Sequence, residues 1–352
     1  VTTAGVEPLP WDDPPDPWDE APDPWDEESA QWLADPPRRA PRIWKERARS
    51  IVTRNDSPDV PFTFGANAYR GCAHACAYCY ARPTHTYLDL DAGRDFEREL
   101  FVKENAAELL SLELASPRLA GEVLCISGAT DPYQPLEASL RLTRRMLEVC
   151  LRRGAPVLLF TKAALVRRDA DLLAALARGP GVQVYLSIPF ADERVARALE
   201  PSAPSPSARF RAARALTDAG VPVGLSVSPL IPGLNDRDLD ALFARAADAG
   251  IERAFSAFLR LPGPVADLFE ARLRDELPDA AERVLATVRD AGGARAGRAA
   301  FGERMVGRGP RWDLARAMFE RFAKAHGVRA DERPEPHLPR GAARPTQGRL
   351  FD

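Results

Sequence analysis

Long apolar runs are missing from this chain. Nowhere in its 352 residues does an uninterrupted apolar stretch approach the roughly 18 residues that a membrane-crossing helix needs. No basic segment followed by a short apolar core stands at the N-terminus, as a secretion signal would require. Cysteine is scarce too, with five in all, an odd number that builds no paired disulfide framework. A soluble protein of the reducing cytoplasm, without a membrane partner, is therefore expected. No G-x4-G-K-[ST] phosphate loop occurs, and Gly121, Gly154, Gly179 and Gly181 are turn residues rather than a dinucleotide fingerprint.

Basic residues are absent from the first 35 positions, which hold eleven Asp and Glu. The other 40 acidic and 48 basic residues give positions 36–352 a charge of +8, although the whole chain stands at −3. Such a cationic body suits an anionic partner, nucleic acid among them, and is also common on plain solvated surfaces. In the acidic stretch Pro-Trp-Asp recurs, placing Trp11, Trp18 and Trp25 seven residues apart with Trp32 continuing the spacing. A seven-residue period would suit a coiled coil, but Pro14, Pro15, Pro17, Pro22 and Pro24 forbid a continuous helix. Residues 1–45 are expected to be a disordered acidic Pro/Trp-rich tail, either a solvated linker or an array of docking motifs. A further expectation is that this tail covers the protein's own basic cleft in place of bases and phosphates. Residues 331–352 return to Pro/Gly/Arg-rich sequence and are expected as a second tail, with Leu350-Phe351 docking at its end.

Between the tails the pattern is regular. Apolar runs bounded by turn residues occur at 60–69, 122–127, 156–161, 182–188, 222–228 and 253–259. Helical spacing occurs at 95–114, 137–153, 168–178, 207–219, 235–249 and 265–291. This alternation implies an α/β domain of parallel strands covered by helices. Six such units over 46–330 fall short of a closed eight-fold barrel, and periodicity does not separate a partial barrel from a doubly wound sheet. In either case ligands gather at the carboxyl ends of the strands.

The stretch that organises the chain is Tyr69-Arg70-Gly71-Cys72-Ala73-His74-Ala75-Cys76-Ala77-Tyr78-Cys79-Tyr80-Ala81-Arg82. Three thiolates on one loop can converge on an iron–sulfur cluster or on zinc. Closed structural sites take four ligands, so three leave one metal corner open; a zinc knuckle completed by His74 or His85 is the competing arrangement.

At these residues the chain resembles the radical S-adenosylmethionine (SAM) enzymes, whose signature is C-x3-C-x-aromatic-C, with Tyr78 as the aromatic. The extended run 67–72 and 80–85 is similar to the subgroup related to spore photoproduct lyase, and the resemblance covers roughly 46–330. It implies the partial (β/α)6 TIM-like barrel of that superfamily, open on one side to large substrates. It implies that Cys72, Cys76 and Cys79 hold a [4Fe–4S] cluster whose open iron takes SAM, with a one-electron donor such as flavodoxin or ferredoxin as partner. Reductive cleavage would then yield a 5′-deoxyadenosyl radical that abstracts a substrate hydrogen.

By the same resemblance Tyr78 packs on the adenine, and Ser127, Gly128, Thr130 and Asp131 occupy the place of the glycine-rich SAM motif. Lys162 pairs with the SAM carboxylate, Ser187 serves the carboxylate or ribose, and Ser228 opens a segment that grips adenine. Cys125 returns a hydrogen atom to the product radical, or else is simply a core residue. Arg70, Arg82 and His85 are expected behind the cluster, while Glu200, Asn235, Arg260 and the segment 301–309 are weaker candidates. The substrate implied is a nucleic acid base or lesion. Modification of a peptide, protein or small molecule competes with it, as does a metal-stabilised binding protein without turnover.

Overall fold

The computed structural model describes residues 6–8, 41–60, 62–292 and 305–334. The strands before the first long helix are β1 (Val6–Pro8), β2 (Arg42–Glu46), β3 (Val52–Arg54), β4 (Phe64–Ala66), β5 (Tyr69–Arg70) and β6 (Glu99–Lys103). After them come β7 (Leu124–Ile126), β8 (Val157–Thr161), β9 (Val182–Ser187), β10 (Val223–Leu230), β11 (Arg253–Phe258) and β12 (Arg329–Asp331). The larger sheet runs β12-β11-β10-β9-β8-β7-β4-β3. Every neighbouring pair in it is parallel except β3 with β4.

The strand pleat sorts the core from the site. On β7, Leu124 and Ile126 pack into the main core, whereas Cys125 between them faces the other way, into a cavity. The same alternation sends Phe160 and Lys162, Ser187, and Ser226 and Ser228 to the cavity side from β8, β9 and β10. Val157, Leu159, Val184, Leu186, Val223, Leu225 and Val227 go to the helix side. There the covering helices include Leu142–Arg153, Ala170–Arg178, Pro206–Asp218, Leu239–Asp248 and Pro310–Ala325.

Several expectations need correction. The run 60–69 is not one strand: β4 belongs to the large sheet and β5 to a small one with β2, β6 and β1. The chain changes sheets at Asn67, whose Oδ1 accepts from Tyr69 N–H at 3.0 Å and whose amide donates to Thr130 O at 3.1 Å. The stretch 95–114 is a helix at Arg94–Arg98, then strand β6, then a helix at Ala106–Glu113. Strand wins in the middle because Glu99–Lys103 finds partners on both sides, β2 parallel and β5 antiparallel.

The helix expected over 137–153 breaks at Arg141, held at φ +52°. The one expected over 265–291 breaks before Pro278, which has no N–H to continue the first helix. Strand β2 starts at Arg42 and Val6–Pro8 pairs with it, both inside the stretch assigned to a tail. Likewise β12 carries Asp331 into the sheet as a seventh parallel strand. Trp11, Trp18, Trp25, Trp32 and Leu350-Phe351 lie outside the described residues.

Candidate functional site

The cysteine loop leaves β5 through Gly71, at φ +76°. A side chain there would meet Leu100 Cδ2 at 2.8 Å and Phe96 O at 2.9 Å, so only glycine fits. Four hydrogen bonds then anchor the loop on three sides. Cys72 N–H donates to Phe96 O at 3.0 Å, Ala73 N–H to Gln134 Oε1 at 3.1 Å, and Ala77 N–H to Leu199 O at 2.9 Å. Ser202 N–H donates in turn to His74 O at 3.3 Å.

Cys72, Cys76 and Cys79 are all free thiols and all line one cavity of about 310 Å³, inside the usual range for ligand sites. Among the described residues no three Cys, His, Asp or Glu side chains are gathered to hold a single ion. A cubane cluster asks for something else, one thiolate on each of three irons, and this donor set fits it. His85 is turned away from the thiols: its Nε2 bonds Glu99 O at 2.9 Å and its ring packs edge-on against Phe96 and Phe101. It does not complete a zinc knuckle. His74 does line the cavity, with Nδ1 3.4 Å from Asp131 Oδ2.

Each strand end adds its part. After β7, the Ser127 hydroxyl exchanges hydrogen bonds with the Phe160 backbone, at 2.7 Å to its O and 2.9 Å from its N. Thr130 Oγ1 donates to Gly71 O at 2.6 Å, and Gly128 O accepts from Tyr80 Oη at 2.6 Å. These groups line the cavity while their hydrogen bonds go to protein, tying this turn to β8 and to the cysteine loop. Asp131 is a hub, accepting from Thr161 Oγ1 at 2.6 Å, Lys162 N at 2.7 Å and Tyr133 N at 2.9 Å. Burial opposes its ionisation, yet His74 and these donors hold its carboxyl down to about 2.

Lys162 Nζ donates to Ser187 Oγ at 2.9 Å and stands 3.9 Å from Glu200 Oε1 and 5.6 Å over the Tyr78 ring. Glu200, fully buried, takes the Tyr78 phenol on Oε1 and Arg209 Nη2 on Oε2, the latter at 2.5 Å. Arg209 is equally buried, and its remaining donors reach Ser187 O at 2.9 Å and Pro204 O at 2.7 Å. Ser228 Oγ, buried on the cavity wall, has no hydrogen-bond partner within the protein. An orphaned hydroxyl and a lysine ammonium on one cavity wall suit a polar ligand such as an amino acid group.

On the cavity side of the sheet Phe160 and Tyr185 stack at 5.4 Å, and Phe255 meets Tyr185 edge-on at 5.1 Å. Tyr185 lies over Gly224, where a Cβ would come within 2.3 Å of the ring. At the mouth, Asp59, Val60 and Phe62 come from the β3–β4 connection, and Glu332, Arg333 and Pro334 from the segment after β12.

The structure thus brings Tyr78, Ser127, Gly128, Thr130, Asp131, Lys162, Ser187, Ser228 and Cys125 to one cavity with the three cysteines; Arg260 also lines it. Arg70 is not among them, since it makes an outward ion pair with Glu46 at 2.8 Å. Asn235 stands at the N-cap of the short helix Asp236–Asp238 but its side chain is spent elsewhere: its amide donates to Pro189 O and Pro229 O, and its Oδ1 accepts from Ile231 N. Phe301 to Arg304 lie outside the described residues, while Gly307 packs under Trp312. Arg209 had no signal in the sequence, being a polar residue inside a helix.

Comparison with known proteins identifies the family. The model of the Radical SAM superfamily matches residues 66–246. "Uncharacterized protein Rv2578c" of Mycobacterium tuberculosis (strain ATCC 25618 / H37Rv) is 36% identical over 226 residues, covering 64% of this chain and 66% of that protein. The match therefore spans just under two thirds of that relative's own length. "Uncharacterized protein MJ0683" of Methanocaldococcus jannaschii is 29% identical over 194 residues, 55% of this chain and 70% of the other. Among solved structures, a spore photoproduct lyase variant with bound AdoMet and dinucleoside spore photoproduct superposes with a TM-score of 0.58 at 17% identity, over 83% of this chain and 82% of that one. The family match begins on β4, takes in the whole cysteine loop and runs on past β10, and on that ground the chain belongs to the radical SAM superfamily of enzymes.

Proposed function

We propose that Cys72, Cys76 and Cys79 hold a [4Fe–4S] cluster, that SAM binds in the adjoining cavity, and that the substrate is a nucleic acid base or lesion. The observation carrying this reading is the convergence of three free thiols, a lysine ammonium and an unpartnered serine hydroxyl on one cavity. Cluster and SAM together would supply one-electron cleavage of the sulfonium and a 5′-deoxyadenosyl radical able to take a hydrogen atom. A flavodoxin- or ferredoxin-like donor is the partner that this chemistry needs.

The protein's part is binding, orientation and shielding. Lys162, already set beside Ser187, would receive the SAM carboxylate, and Ser228 would give its hydroxyl to the ligand. Tyr78, fixed by Glu200, would present its ring as a wall for the adenine. Phe160 and Phe255, packed on Tyr185, give the cavity an apolar wall that would help shield a radical. Burial pushes the Cys125 thiol well up, so it stays protonated and keeps a hydrogen atom at the cavity wall. Cys125 would return that atom to the product radical, leaving a thiyl radical on its sulfur. Phe62 and Tyr80, the latter half exposed, offer ring faces to a base, and the cationic body favours a phosphate backbone. The bound dinucleoside of the spore photoproduct lyase structure supports the same class of substrate.

The test is transfer of deuterium from a labelled oligonucleotide into 5′-deoxyadenosine under anaerobic reduction. Label appears there if the reading holds, and Cys125→Ala lets the product radical decay to other species. Label transfer from peptides alone would replace the substrate assignment. Nucleic acid affinity should also fall steeply with added salt.

A further inference from the structure

We propose that Arg82 is a positioning residue for the cluster: its guanidinium holds the cysteine loop in the shape that receives iron. The proposal rests on the reading that Cys72, Cys76 and Cys79 are the cluster ligands.

Arg82 lies three positions past the last cysteine and is 2% exposed, an unusual place for a permanent cation. Its donors are all committed. Nε donates to Cys76 O at 2.9 Å and Nη2 to Ala75 O at 3.0 Å, two consecutive carbonyls in the middle of the loop. Nη1 donates to Gly93 O at 2.8 Å and Ala92 O at 3.3 Å, and Nη2 also meets the Glu97 carboxylate. One planar group thus rivets the loop to the turn and helix behind it, with the Phe96 ring 5.4 Å away.

The loop needs such a rivet. Its internal backbone bonds are long, 3.4 Å from Ala75 N to Cys72 O, 3.3 Å from Cys79 N to Cys76 O, and 3.3 Å from Arg82 N to Cys79 O. Ala75 stands at φ +57°, a left-handed conformation that alanine takes only when neighbours impose it. The carbonyl that this twist swings out is the one Nη2 holds. With the Cys76 carbonyl held by Nε, its thiol is left to line the cavity.

The experiment compares wild type, Arg82→Lys, and Arg82→Lys combined with Ala75→Gly, each reconstituted anaerobically. Iron and sulfide per chain, the rate at which a chelator strips iron, and the thermal unfolding of the cluster-free proteins are measured. Lysine keeps the charge beside Glu97 but cannot bridge both pairs of carbonyls. Arg82→Lys should lose iron about tenfold faster, the scale of a lost contact behind a metal ligand, and its cluster-free form should unfold at a lower temperature because buried carbonyls lose donors, a loss that Ala75→Gly leaves in place. Ala75→Gly should bring the rate most of the way back, because glycine adopts the positive φ without help. Wild-type iron retention in Arg82→Lys overturns the proposal, as does a cluster-free unfolding temperature that Ala75→Gly restores in step with retention, or no recovery of retention with glycine. A wild-type protein that takes up no cluster would instead overturn the reading of the cysteines.

Discussion

Glu200 and Arg209 form an ion pair with no exposure at all, and such a pair is worth most as a fixed framework. Beside it stand Tyr78 of the cysteine loop and Lys162 just past β8, so two cavity groups share one anchor. Arg209→Met would strand the Glu200 carboxylate in the interior. It should cost about 3–5 kcal/mol in urea unfolding, and a loss within experimental error of zero would contradict that. Lys162 carries a different burden. Removing a charge-assisted hydrogen bond worth about 1.5–3 kcal/mol should weaken equilibrium SAM binding by roughly tenfold or more in Lys162→Ala. Unchanged SAM affinity in a cluster-loaded variant would remove Lys162 from the binding site.

Among the secondary elements, β6 shows most plainly where local pattern and structure part. Leu100 and Val102 satisfy a helical spacing with Leu109 and Leu110, yet their neighbours Glu99 to Lys103 sit in a sheet. The deciding partner, β2, comes from a basic stretch more than fifty residues earlier in which no strand was expected. The five parallel strands from β7 to β11 were legible because each is an apolar run closed by turn residues. Their site residues followed from the rule that ligands gather where strands end. Arg209 was not legible, since nothing about a polar residue in a helix reveals which carbonyl or carboxylate it will reach.

His85 belongs to this scale too, bonding β6 from the short helix Arg82–Leu88. Burial pushes its imidazole below the ordinary range, so it is neutral in the folded protein while the unfolded chain takes up a proton below about pH 6.5. Its contribution is therefore complete above that pH and is lost as the pH falls toward the folded-state value. Cluster-free wild type should lose stability between pH 7 and pH 5 more steeply than His85→Phe. Parallel stability curves for the two would contradict this.

At the scale of the molecule, seven parallel strands stand in an open sheet with β3 at one edge and β12 at the other. Asp59, Val60 and Phe62 beside one edge and Glu332 to Pro334 beside the other line the same cavity. The seventh strand escaped the sequence pattern because Arg329–Asp331 is short and carries two charges. It joins the sheet through β11, and Asp331 is clamped by Arg253 at 2.9 Å and Arg329 at 2.7 Å.

The measurement bearing most directly on the central claim is 5′-deoxyadenosine formed per chain after anaerobic reconstitution with iron and sulfide, addition of SAM and reduction. Wild type should form it and Cys76→Ala should not, with the variant binding markedly less iron. A wild-type protein that carries a single zinc ion and leaves SAM intact would contradict the account.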